Sequence, residues 1–230
     1  MNIKVLSVGI TITMSLILLQ LTAKYQFQLS YTNSMMILIS LSFVAWFSLL
    51  RKHPSLTTFN IEANLLQSIL PLLMVLIGIP AFLFLTTENI NYTDVASSLS
   101  NLLLGSVYEE LLFRLIALST FLSAGMKPIK AILLSSIIFS VSHALFLPNI
   151  EWSILKLFLD TFIVGLVLGV VYYRSKNLLL VIVIHFLWNT TILTNKVLAS
   201  EDVAISTTII LFAITILYFF WAIKELRNTS

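Results

Sequence analysis

The sequence predicts an all-α, polytopic membrane bundle of about eight transmembrane helices, and three observations predict it. Of 230 residues, 59% are hydrophobic and 10% charged, and the mean hydropathy of +1.02 is far above what the surface of a water-soluble domain carries. Apolar runs approaching or exceeding the roughly 17–25 residues that cross about 30 Å of hydrocarbon recur along the whole chain. The basic residues, finally, sort to alternate connections, as they do in polytopic proteins. Residues 1–230 therefore read as one integral membrane domain in a lipid bilayer.

The expected spans are Val5–Leu21, Met35–Leu50, Leu65–Leu85, Leu99–Leu122, Ile129–Leu147, Ile154–Tyr173, Leu178–Leu193 and Ala204–Ile223. The first follows Lys4 and is read as an uncleaved helix; the alternative is a signal peptide with "LTA" before Lys24 as a poor cleavage site. The second ends at the basic loop "RKHP", where His53 reads as a solvated topology residue. The third contains Pro71 and Pro80, which should kink it and free carbonyls that neighbouring helices or water must satisfy. The sixth contains Gly165 and Gly169, a G-x-x-x-G step that allows close helix approach, and Lys156 four residues before Asp160, read as a structural pair around a buried acid. Glu62, Tyr108 and Tyr172 suggest no more than interfacial roles. With the N-terminus inside, Lys4, Arg51, Lys52, Lys127, Lys130, Arg174, Lys176, Lys224 and Arg227 all fall cytoplasmic, which predicts cytoplasmic N- and C-termini. Basic residues beside spans set topology, so no nucleic-acid partner is inferred. The absence of cysteine excludes disulfides, thiolate metal sites and a cysteine nucleophile.

The fourth span poses the energetic problem. On an insertion scale Glu109, Glu110 and Arg114 together cost about 8–10 kcal/mol at its centre. The twelve Leu, Ile, Val and Phe residues between Leu102 and Leu122 return about 4–7 kcal/mol. The segment needs partners. Glu110 and Arg114, four apart, share a helical face and can pair. Glu109 points about 100° away and has no cation on its own helix.

Other intramembrane polar residues supply candidates. His143 lies in "FSVSHALF", one turn after Phe139, and His185 lies in "IHFLWN", one turn before Asn189. Interhelical hydrogen bonds explain a lone histidine in a span; two histidines, an asparagine and an unpaired glutamate from three helices form an acid/base set. A carboxylate in a poorly hydrated cavity becomes a competent general base, and donors nearby stabilise an oxyanion. The same atoms of Glu109, His143 and His185 could instead make a zinc site with an open position for water. Either arrangement implies hydrolysis by activated water. A proton-coupled transporter is a different reading of the same relay, against which stands the absence of an inverted repeat.

"EELLFR", "FSVSH" and "HFLWN" together resemble the three signatures E-E-x-x-x-R, F-x-x-x-H and H-x-x-x-N of the CAAX protease and bacteriocin-processing (CPBP, or Abi) family of intramembrane proteases. The resemblance covers about Leu99 to Thr191, a protease core at residues 99–191. It implies an eight-helix bundle with a water-accessible conical cavity and a glutamate-dependent endopeptidase site. Carried over, Glu109 is the base that activates water and His143 assists it. Glu110, Arg114 and Phe139 support them, and His185 with Asn189 stabilises the oxyanion. The family has been described both with and without zinc; direct activation of water is favoured here because Asn189 suits an oxyanion hole better than a zinc shell. Eukaryotic relatives trim prenylated CAAX proteins, and many bacterial members are linked to bacteriocin self-immunity, peptide export or processing of peptide signals. The composition, rich in Ile, Leu, Asn, Lys, Ser and Thr, points to a bacterial cell membrane, so the expected substrate is a membrane-bound peptide or leader peptide. A non-catalytic immunity or scaffold protein of the same fold is the alternative, against which stands the unpaired Glu109.

Overall fold

All eight apolar runs are helical within the described residues, which in this computed structural model are 2–25, 30–50, 63–87, 92–145 and 152–228. The helices are α1 (Ile3–Tyr25), α2 (Tyr31–Leu50), α3 (Ala63–Thr86), α4 (Tyr92–Glu110), α5 (Ser119–Ser123), α6 (Pro128–Ala144), α7 (Trp152–Ser175), α8 (Leu178–Leu198) and α9 (Glu201–Asn228). A π-helical segment, Leu111–Leu118, joins α4 to α5, so these three pieces form the fourth expected span. Five stretches, in α1, α3, α7, α8 and α9, are long and apolar enough to cross a membrane. α2 and α6 contribute shorter apolar helices, and the fourth span carries the charges that lower its hydropathy. The protein is a multi-pass membrane protein. His53, Glu62 and the expected end of the fifth span at Leu147 lie outside the described residues.

Large side chains such as Leu85, Phe212, Leu217 and Phe220 stand exposed on the outside, where lipid rather than water is the solvent. Inside, one apolar cluster joins α3, α5, α6, α7, α8 and α9, and a second joins α1 and α2 to α4 and the π segment, with Phe139 of α6 reaching into it. Gly165 and Gly169 let α7 lie directly on α6. A Cβ on Gly165 would come within 3.1 Å of Phe139 and 3.3 Å of Ser136, and one on Gly169 within 3.0 Å of Ile132. The small-residue step thus fixes the distance between α7 and the helix that carries His143.

α3 runs through both prolines, and tertiary hydroxyls repair its ladder. Pro80 has no N–H for the Leu76 carbonyl, and Thr191 Oγ1 of α8 donates to that oxygen at 3.0 Å. Beside Pro71, the Tyr218 hydroxyl of α9 inserts between two turns: it donates to Ser68 O at 2.8 Å and accepts from Leu72 N–H at 3.1 Å. Tyr218→Phe removes both of these bonds and is expected to lower stability by about 1–3 kcal/mol, read as a drop in thermal unfolding temperature in detergent.

The chain ends and turns pair as alternating antiparallel spans require. Asn2 N–H donates to Ala124 O at 2.7 Å, placing the start of α1 beside the turn before α6. That turn closes on Gly125, at φ 84°, with Gly125 N–H bonded to Leu122 O and Met126 N–H to Phe121 O. Arg174 pairs with Glu225, tying the ends of α7 and α9 on the same side.

Candidate active site

The site begins where α4 gives way to the π segment. Bonding from i to i+5 shifts the carbonyl partners by a residue, and two serines take part in satisfying them: Ser135 Oγ of α6 donates to Phe113 O at 2.8 Å, and Ser119 Oγ to Arg114 O at 3.0 Å. All residues from Leu111 to Leu118 are buried. Glu109 and Glu110, just before this segment, diverge into two environments.

Glu110 and Arg114 are fully inside the protein. Arg114 Nη1 donates to Glu110 Oε1 at 2.9 Å, Nη2 donates to Gly165 O at 3.2 Å, and the guanidinium lies 4.7 Å from the Phe139 ring centroid. The i,i+4 pair expected from spacing is present, and it does more than neutralise itself. His185 Nδ1–H donates to the same Glu110 Oε1 at 2.6 Å. A buried ion pair gains little net stability over an apolar pair, and this one also fixes the His185 ring through the shared oxygen.

His143 is held from the other side. Its Nδ1 lies 2.9 Å from the carbonyl of Phe139, one turn earlier in α6. A carbonyl only accepts, so Nδ1 carries a proton, and in the neutral form of the ring Nε2 is the nitrogen with the lone pair. The same logic at Glu110 puts a proton on Nδ1 of His185 and turns its Nε2 towards Glu109. Both Nε2 atoms lie 3.5 Å from Glu109 Oε2. That oxygen is buried and has no hydrogen-bond partner of its own. The Glu109 and His143 side chains are 20% and 27% exposed against 3% for His185, so the cluster opens on the side of Glu109 and His143.

Phe139 sits at the centre. Its ring meets His143 at 4.4 Å, His185 at 5.8 Å edge-on and Phe113 at 5.1 Å edge-on. A polar-looking motif thus uses its phenylalanine as the common wall on which both imidazoles and the guanidinium rest.

Asn189, one turn beyond His185 on α8, donates from Nδ2 to Ser106 Oγ at 3.3 Å. Ser106 is fully buried and lies four residues before Glu110, so it shares that face of α4 although it belongs to none of the three motifs. Three other readings change. Asp160 pairs with Lys156 at 2.6 Å, but the two side chains are 46% and 79% exposed, so the acid is on the outer face of α7 rather than buried. Tyr108 is buried and donates to Leu16 O at 3.3 Å, and Tyr172 is buried with its hydroxyl 3.4 Å from Ser119 Oγ. Neither tyrosine is interfacial.

Glu109, His143 and His185 have the donor chemistry of a zinc site, since two imidazole lone pairs and a carboxylate oxygen converge. As placed, however, no three His, Asp or Glu side chains among the described residues are arranged around a common metal position. The side chains would have to re-aim to hold an ion.

A buried carboxylate oxygen is thus faced by two imidazoles inside an all-α membrane bundle. Residues 91–191 match the family model described as Rce1-like, Type II CAAX prenyl endopeptidase Rce1-like, a stretch that contains α4, the π segment, α5, α6, α7 and most of α8. The matched segment contains every residue of the cluster. No curated protein and no solved structure matches the chain.

Proposed function

We propose that the protein is an intramembrane endopeptidase that hydrolyses a membrane-associated peptide or leader peptide with water activated by Glu109. The observation that carries this reading is the convergence of two imidazole lone pairs on the unpartnered Oε2 of Glu109. Three acceptors facing one another require a donor between them, and a water molecule is the smallest donor that fills the role.

Water donates one proton to Glu109 and is oriented by His143 Nε2 as its oxygen bonds the scissile carbonyl carbon. The carbonyl oxygen takes the displaced electron pair. Glu109 passes its proton to His185 Nε2, 3.5 Å away, and the Glu110 carboxylate on Nδ1 stabilises the resulting imidazolium. That new N–H and the second Nδ2–H of Asn189, whose first is held by Ser106, stabilise the oxyanion. On collapse the C–N bond breaks and the amine nitrogen takes the His185 proton; the other product keeps the hydroxyl as a carboxylic acid. No side-chain nucleophile and no metal is required. We further assign the N- and C-termini to the cytoplasm of a bacterial cell, because the basic ends of the spans lie together on that side.

His143→Ala and His185→Ala are each expected to lower peptide hydrolysis by about 10²–10⁴-fold at unchanged membrane abundance. A zinc chelator is expected to leave the wild-type rate unchanged. Wild-type rates in both variants would overturn the endopeptidase reading, and chelator inhibition reversed by added zinc would overturn the metal-free mechanism.

A further inference from the structure

A second feature of α4 lies outside the three motifs. Asn101, Gly105 and Glu109 are spaced four apart and line one face of the helix. The first turn of α2 docks on that face. Thr32 Oγ1 donates to Asn101 Oδ1 at 3.2 Å, and the Tyr31 hydroxyl lies 2.5 Å from the point where a Cβ on Gly105 would stand. The absent side chain of Gly105 is therefore what admits the phenol, one helical turn from Glu109. The hydroxyl has no hydrogen-bond partner among the described residues, the residue is 47% exposed, and the phenol is within electrostatic reach of the Glu109 carboxylate.

A peptide extended for cleavage inside a membrane protein presents backbone carbonyls that water no longer satisfies, and each needs a donor. Residues one turn apart on a helix are about 5–6 Å apart at Cβ. An extended chain advances about 3.3–3.6 Å per residue. A donor one turn from Glu109 thus meets a carbonyl one or two residues from the bond that Glu109 attacks.

We propose that Tyr31 is a substrate-positioning residue whose hydroxyl donates to a backbone carbonyl of the peptide laid along the Asn101, Gly105 and Glu109 face. The inference rests on the endopeptidase reading and extends it to how the peptide is held. Two variants reach the same hydroxyl by different routes. Tyr31→Phe deletes it and keeps the ring. Gly105→Ala pushes it away, and since the contact is with the tip of a flexible side chain, the helices need not move.

The test is cleavage of a membrane-inserted peptide by full-length protein in vesicles, with Glu109→Ala as control. Each variant is expected to raise KM by about 3- to 10-fold with kcat within about twofold, and the double variant to be no worse than either single one. A wild-type KM in Tyr31→Phe, a loss confined to kcat, or additive effects in the double variant would overturn the assignment while leaving the endopeptidase reading intact. Undiminished cleavage by Glu109→Ala would remove that reading and this inference together.

Discussion

Replacing Arg114 with leucine is expected to destabilise the protein by about 3–5 kcal/mol and to abolish hydrolysis. The guanidinium is 1% exposed, and its loss leaves the fully buried Glu110 carboxylate without its cation. The Gly165 carbonyl loses its donor and Phe139 its cationic neighbour. A paired replacement separates structure from chemistry. In Glu110→Leu/Arg114→Met the buried charges leave together, so most of the stability returns, because well-packed apolar residues replace a buried ion pair at little cost. Activity stays lost, since His185 Nδ1 has no carboxylate to hold its ring or to stabilise a proton on Nε2. Thermal unfolding in detergent and peptide hydrolysis, measured on the same preparations, check both halves.

Glu109→Ala is expected to show the opposite pattern. Hydrolysis falls by about 10²–10⁴-fold while the unfolding temperature is unchanged or higher. The reason lies in the partners. Glu110 Oε1 accepts two hydrogen bonds, whereas Glu109 Oε2 is buried and accepts none, so removing the Glu109 carboxylate relieves a desolvated oxygen without breaking a hydrogen bond. Two adjacent glutamates thus divide into one held by two hydrogen bonds at a single oxygen and one whose buried oxygen accepts none.

Much of this was legible in the residues. Hydropathy located all the helices, and i,i+4 spacing located the Glu110–Arg114 pair, the His143–Phe139 turn and the lack of any same-helix partner for Glu109. What spacing on one helix cannot express is which neighbour it meets. The bond from His185 to Glu110, and the Ser106 that holds Asn189, depend on the way α8 lies against α4. Pro71 and Pro80 announced that carbonyls on α3 needed donors, but not that Tyr218 and Thr191 supply them. Asp160, Tyr108 and Tyr172 were misplaced for one physical reason. In a span that is apolar all round, hydropathy does not say which face looks inward, so an acid paired on the outside reads as buried and a core tyrosine reads as interfacial. The π segment leaves no mark in the pattern of apolar residues, and its serine partners come from α5 and α6.

The central claim is that Glu109 activates the water that cleaves a peptide in the membrane. Its most direct test is mass-spectrometric detection of products from a membrane-inserted peptide incubated with vesicles containing equal amounts of folded wild-type or Glu109→Gln protein. A single hydrolytic cut is expected from the wild type and none, over the same time, from Glu109→Gln. Equal cutting by both proteins would contradict it.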